Sequence, residues 1–371
     1  MRPRRQAQGS RDFEMTTPVT LDISLRAALQ RGVVIPAHPL ALDADGTFDE
    51  RHQRALTRYY AAAGAGGIAV GVHTTQFAIR EPRVGLFEPV LTIAAEEMDR
   101  ADGQRQEPMI RIGGICGTTD QALREADLLA RLGYHAGLLS LAALASSDDV
   151  ALIAHCEAVA GRIPIIGFYL QPSVGGRLLS YEFWRRFAEI PTVIAIKIAP
   201  FNRYQTLDVV RAVVDAGRDD IALYTGNDDA IVSDLVTPFR FEAAGRASER
   251  RIVGGLLGHW AVWTSGAVAL LEKCHSLARG VVVPADLLRR GVEITDANAA
   301  FFDAAHGFAG CIPGIQEVLR RQGLVASTRC LDPGETLSRG QAAEIDRVCR
   351  AYPHLADDEF VRTNLEEWLR C

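Results

Sequence analysis

A (β/α)8 TIM barrel followed by a C-terminal helical extension is the fold this sequence predicts, and three observations predict it. Between residues 33 and 272, eight short apolar runs alternate with longer amphipathic segments. The runs are continuous rather than alternating, as in Ile163-Pro164-Ile165-Ile166, which is the pattern of strands covered on both faces. After about residue 285 only helical periodicity remains. Strands alternating with helices imply parallel βαβ units, and eight such units imply a closed barrel.

In order, the strands are expected at residues 33–36, 67–71, 109–113, 136–140, 163–169, 193–198, 221–225 and 252–257. Seven lead directly into a helical pattern, and the eighth leads into one over 260–271. Thr118-Thr119-Asp120-Gln121 reads as a capping box opening a helix that stops at Gly133. Ser146-Ser147-Asp148-Asp149 opens the next, which ends at Gly161, and the helix after Tyr204 ends at Gly217. Residues 239–251 are polar, contain Gly245 and read as a long surface loop. Helices follow at 290–309, 312–324 and 339–351, with a shorter one near 358–369. The chain therefore divides into a flexible tail (1–24), a barrel (25–285) and a helical extension (286–371).

Composition narrows the function. The net charge is −6 with both signs mixed along the chain, which argues against nucleic acid or an anionic membrane as partner. Arg2-Pro3-Arg4-Arg5 has no apolar segment behind it and reads as part of a tail rather than a signal peptide. No apolar run approaches the ~18 residues that span a bilayer. The seven cysteines are odd in number and never spaced CxxC, and the nine histidines are scattered, which predicts reduced thiols in a cytoplasmic protein and no metal site.

One residue points to chemistry. Of the 40 basic residues only Lys197 and Lys273 are lysine. Lys197 lies inside Val193-Ile194-Ala195-Ile196-Lys197-Ile198-Ala199, a strand that reads as buried. Burial lowers an ammonium pKa and favours the neutral amine, which arginine cannot supply and which imine chemistry on a carbonyl requires. The competing reading is a strand-end lysine reaching out to water.

Catalytic groups of such barrels sit at the C-terminal ends of strands. There the sequence places Lys197 (strand six), Tyr169 (strand five), His73, Thr74 and Thr75 (after strand two), Gly226 and Asn227 (after strand seven), and Leu257 with His259 (strand eight). The expected roles are Lys197 as amine, Tyr169 as proton shuttle, and Thr74 and Thr75 as holders of a carboxylate. Each residue also has a structural reading: a core aromatic for Tyr169, a turn cap for the threonines, a backbone-bonded loop histidine for His73 and helix-start packing for His259.

These residues resemble the dihydrodipicolinate synthase / N-acetylneuraminate lyase superfamily of class I, pyruvate-dependent aldolases. His73-Thr74-Thr75 resembles its Gly-Thr-Thr-Gly-Glu loop, Tyr169-x-x-Pro172 its Tyr-Asn-x-Pro motif, Ile196-Lys197 its Schiff-base strand and Gly226-Asn227-Asp228 its Gly-x-Asp segment. The separation of 28 residues between Tyr169 and Lys197 fits the family, and the resemblance runs over about residues 25–350. It implies a lyase that forms a Schiff base at Lys197, needs no cofactor, and makes or breaks a C–C bond beside a 2-oxo acid such as pyruvate. It also implies an aldehyde partner and a homo-oligomer, a dimer or tetramer. The alternatives are a dehydratase or hydratase using the same lysine, and a barrel that binds a 2-oxo acid without catalysis.

The chain is a divergent case. His73 stands where the family has glycine, Gln76-Phe77 where it has Gly-Glu, and Leu141-Ala142-Ala143-Leu144-Ala145 where many members have Pro-Tyr-Tyr. Val174 occupies the position of the synthase's carboxylate-binding arginine, with Arg177 nearby. His73 is expected to replace the missing acid–base function near neutral pH. The apolar replacements predict a second substrate less charged than aspartate semialdehyde.

Overall fold

The protein's structure, a computed structural model, describes residues 20–370 except 244, 279 and 281; residues 1–19 of the expected tail lie outside the described residues. The eight strands of the main sheet are β1 (Val34–Pro36), β2 (Gly67–Val70), β3 (Ile110–Ile115), β4 (Ala136–Leu139), β5 (Ile165–Leu170), β6 (Val193–Ala199), β7 (Ala222–Thr225) and, after a hairpin, β10 (Gly254–Leu257). They run parallel in the order β1-β10-β7-β6-β5-β4-β3-β2. A bridge between Ala37 and Ala69 joins β1 to β2 and closes the barrel.

Two apolar layers hold it. The inner one fills the barrel with Ile35, Ile112, Leu138, Ile166, Phe168 and Leu256, among others. The outer one packs strands against the helical ring and includes Tyr169, Trp184, Ile196 and Ile198. The helix Ile23–Arg31 plugs the lower end, sending Leu25, Ala28 and Leu29 into the inner layer. Asp22 caps it, its side chain accepting the Ser24 N–H at 2.8 Å. Leu21 already belongs to the inner layer, so ordered packing begins before residue 25.

Local sequence signals explain most boundaries. The Asp148 side chain accepts the Ala151 N–H at the start of helix Asp149–Ala160. Asn202 caps helix Arg203–Asp215. Helix Thr119–Arg131 starts as expected, but Thr118 makes no side-chain capping bond. Residues 239–251 are not a loop. They form an antiparallel hairpin of β8 (Phe239–Ala243) and β9 (Arg246–Arg250), with an Arg240–Glu249 cross-strand ion pair at 2.8 Å. The Phe239-Arg240-Phe241-Glu242 alternation is a strand period, and Phe239 is buried.

The extension consists of helices Ala285–Phe301, Cys311–Arg321, Gln341–Ala351 and Asp358–Trp368. Its first part reaches over the upper end of the barrel. Gln316 donates to the Leu40 carbonyl, and the Leu331 N–H donates to the Gln76 side chain at 2.7 Å. The extension is therefore in contact with the loops after β1 and β2.

Candidate active site

A cavity opens at the upper, C-terminal end of the barrel, enclosing about 600 Å³ of non-protein space, solvent at its mouth included. Each strand supplies inward side chains by alternation, and cross-strand partners face the same way. Phe168, Lys197 and Tyr224 are partners across β5, β6 and β7. Lys197 consequently points inward and lines the cavity.

Lys197 is 8% exposed. Burial is the largest influence on its ammonium and holds it below the usual lysine range, while the negative charge of Asp228 pulls it partly back. Its Nζ lies 4.4 Å from the centre of the Phe168 ring. Close packing with Gly226 fixes the side chain's path. A Cβ built on Gly226 would come within 2.7 Å of both Lys197 Cε and Ala199 Cβ, so only glycine leaves room for the lysine stem.

Of the other residues singled out in the sequence, the cavity gathers Gly226, His73 and Thr74. The Thr74 hydroxyl donates to the Ala37 carbonyl at 2.9 Å. The Thr75 hydroxyl is wholly engaged: it donates to the His38 carbonyl at 2.6 Å and accepts from the N–H groups of Gly71 and Val72. Thr75 thus braces the loop, and Thr74 alone of the pair lines the cavity. His73 is pushed down to about 4, by burial first and by Lys197 second, so it faces the cavity as a neutral imidazole at neutral pH.

Four residues are placed elsewhere. Tyr169 pairs with Ile198, not Lys197, and faces outward. Its ring packs on Trp184, and its hydroxyl donates to the Leu179 carbonyl at 3.2 Å. The inward position beside the lysine belongs to Phe168, so the expected Tyr169–Lys197 convergence does not occur. The side-chain amide of Asn227 binds Asp234 and Thr206, and its oxygen accepts the Phe201 N–H, so it shapes the loop instead of facing the cavity. Leu257 lies in the outer layer. The His259 ring stacks on Phe301 at 6.1 Å and is held neutral by burial, at about 4; only its backbone N–H reaches the site, on Asp228.

Tyr169→Phe is therefore expected to leave kcat within about twofold of wild type. Its stability should fall by about 1–3 kcal/mol, because the hydroxyl also accepts the Leu179 N–H at 3.3 Å and two hydrogen bonds are lost. Steady-state kinetics beside chemical denaturation check both.

Sequence reasoning missed most of the wall. Phe168, Phe201, Phe302 and Phe308 line it, with Cys311, Gln171 and Asp228 as further polar members. Phe201 and Phe308 meet edge-to-face at 5.8 Å, and both hold positive φ, 51° and 70°. Left-handed backbone in non-glycine residues costs energy and gathers at functional sites. The Phe302, Phe308 and Cys311 contributions come from the extension, which no strand-end rule would have indicated. Asp228 carried a signal, its place in the Gly-x-Asp segment, but was read only for its neighbours. Arg177 braces the loop after β4 through the carbonyls of Leu144 and Ser147. Trp260 is buried in the outer layer. Among the described residues, no group of three or more His, Cys, Asp or Glu side chains is placed to hold a metal ion.

No protein-family model matches the chain, and no curated protein sequence does either. Solved structures do. CdNal from Clostridium difficile, solved with mannosamine, is 15% identical with a TM-score of 0.66, the alignment covering 86% of this chain and 99% of that one. Dihydrodipicolinate synthase from Cyanidioschyzon merolae, solved with lysine bound, is 17% identical with a TM-score of 0.68, covering 87% and 98%. YagE of Escherichia coli K12, a prophage protein of the dihydrodipicolinic acid synthase family solved with pyruvate, is 16% identical with a TM-score of 0.68, covering 88% and 99%. The barrel and its helical extension together share the fold of these solved structures.

Proposed function

We propose that this protein is a divergent Schiff-base lyase of the dihydrodipicolinate synthase / N-acetylneuraminate lyase superfamily, making or breaking a C–C bond next to a 2-oxo acid such as pyruvate. The observation that carries the reading is Lys197: a buried amine on the inward face of β6, aimed into the one end of the barrel where such enzymes place their chemistry. The backbone N–H groups of the turn that carries Thr74 take the carboxylate, and Lys197 takes the carbonyl carbon. No cofactor enters the reaction. YagE, with the same fold, was solved with pyruvate.

The wall sets the second substrate. Phe168, Leu170, Val174, Phe201 and Phe302 surround the space beyond the amine. Apolar walls give a charged group nothing in return for its lost water, and they reward apolar area at about 25 cal/mol per Å². An aromatic or aliphatic aldehyde fits better than aspartate semialdehyde. We extend the proposal to a cytoplasmic homo-oligomer, in keeping with the six unpaired cysteines among the described residues. No helix among them is long and apolar enough to cross a membrane.

The test is borohydride reduction in the presence of a panel of 2-oxo acids, read by peptide mass. The expected result is one adduct per chain on the peptide holding Lys197. With the best acid held fixed, aromatic aldehydes should give higher kcat/KM than aspartate semialdehyde. A panel that leaves Lys197 unmodified would remove the Schiff-base reading. A barrel that binds a 2-oxo acid without turning it over is the second reading. It is favoured by the outward turn of Tyr169 and by the engagement of Tyr224, the lysine's other tyrosine neighbour, whose hydroxyl donates to the Leu29 carbonyl at 2.8 Å. Trapping at Lys197 with no product from any aldehyde would support it.

A further inference from the structure

We propose that the Asp228 carboxyl is the acid–base partner of Lys197, doing the work for which neither the Tyr169 hydroxyl, bonded to Leu179, nor the Tyr224 hydroxyl, bonded to Leu29, is free; the inference rests on the Schiff-base reading above. Asp228 follows β7 and lines the same cavity as the lysine. It is only 8% exposed. Its Oδ1 accepts the His259 N–H at 3.0 Å, and its backbone carbonyl accepts the Asn298 side-chain amide. These two bonds hold the carboxyl in place from the loop after β10 and from the extension. Its Oδ2 has no hydrogen-bond partner among the described residues and remains for the cavity.

The other polar groups of the cavity are less suited. The Thr74 hydroxyl is spent on a backbone carbonyl. His73 is too weak a base when held near 4. Burial, reinforced by Asp228, pushes the Cys311 thiol well above its usual range. Charged and titratable neighbours of Asp228 are Lys197 on β6, Cys311 on the extension and the adjacent Asp229; the neutral His259 meets it only through its backbone. Burial raises the carboxyl and lowers the ammonium, so the two converge, and a proton shared by the pair can sit on the acid while the amine is free.

The chemistry balances with that one proton. The neutral amine attacks the carbonyl carbon of the 2-oxo acid, forming a C–N bond, while the Asp228 acid protonates the carbonyl oxygen. The resulting carboxylate takes a proton from nitrogen and returns it to the hydroxyl, which leaves as water. The products are an iminium ion, water and the Asp228 carboxylate. That carboxylate removes a proton from C3 to give the enamine. As the enamine carbon attacks the aldehyde, the acid protonates the new alkoxide, restoring iminium and carboxylate. Cleavage runs the same steps in reverse.

The test uses the full chain and the 2-oxo acid that traps best in the panel. Asp228→Asn keeps an acceptor for the His259 N–H and removes only the proton carrier. Borohydride should still label Lys197, but imine formation should slow by about 10²–10⁴-fold, and the pH profile of kcat/KM should lose one limb. Asp228→Ala should be equally slow and recover in formate, a small carboxylic acid able to enter the vacated space, which repair of a merely structural loss would not do. A variant with wild-type rate and profile overturns the inference. So does a slow Asp228→Ala that formate leaves unchanged. A wild-type protein that no 2-oxo acid labels overturns the Schiff-base reading, and this inference with it, so the two failures are told apart by the wild-type control.

Discussion

Lys197→Ala and Lys197→Arg are each expected to abolish covalent capture of a 2-oxo acid and to reduce turnover to background. Alanine removes the amine. Arginine is the sharper test, because it keeps a cation on a stem of similar length but cannot lose its proton to become a nucleophile. The sign of the pH dependence follows from the same physics. The reactive form is the neutral amine, and burial lowers the ammonium's pKa. The rising limb of wild-type kcat/KM should therefore lie well below the ~10.4 of an ordinary lysine, and the falling limb at higher pH marks loss of the Asp228 proton. Lys273 is an internal control: it lies half-exposed at the surface, paired with Asp286 at 3.1 Å. An adduct at Lys273, or an active Lys197→Arg protein, would remove the mechanism.

The second large effect is expected at a residue with no side chain. Gly226→Ala puts a methyl group within 2.7 Å of Lys197 Cε and Ala199 Cβ. The Ala199 contact cannot move away without shifting β6, so overpacking should cost about 1–3 kcal/mol. The lysine stem must also leave its path. Displacing a reacting group by about 1 Å costs on the order of 10²-fold in rate. Trapping should slow by that factor while still labelling the same peptide. A Gly226→Ala protein as fast as wild type would mean that the amine is not held by packing.

The barrel was legible because buried parallel strands are written as unbroken apolar runs, and each run from 33–36 to 252–257 overlaps an observed strand. What the runs do not encode is which face a given side chain takes. The 28-residue spacing from Tyr169 to Lys197 suggested two neighbours. The pairing of β5 with β6 contains an irregularity: Ile165 faces Val193, but Ile166 already faces Ala195. The extra residue, Ile194, shifts everything after it by one position. A one-residue shift turns each side chain to the other face, so Phe168, not Tyr169, came to lie beside the lysine.

The site's remaining blind spots have the same origin in long-range packing. Asp228 owes its place to bonds with His259 and Asn298, which lie far along the chain. The 239–251 segment shows a different failure. Its charge density suggested a loop, while the two-residue period of Phe239 and Phe241 was too short a signal to outweigh it, and only packing of the phenylalanines against the core identifies the hairpin.

Gln76 bears on the divergence of the loop after β2. It holds φ 65° and ψ 115° where the resembled motif has glycine, a conformation costly to any residue with a Cβ. Its side chain also anchors the extension through the Leu331 N–H.

That anchoring has a temporal meaning. Phe302, Phe308 and Cys311 form part of the cavity's wall, yet they follow Lys197 by more than a third of the distance from Lys197 to the chain's last residue. A ribosome delivers the amine and all eight barrel strands before it delivers the residues that shelter them from water. Without the extension that part of the wall would be missing, and the lysine would be expected to keep more water around it, with its ammonium nearer the usual range. On the Schiff-base proposal, the amine would therefore gain its reactivity toward carbonyl compounds only once the extension has docked.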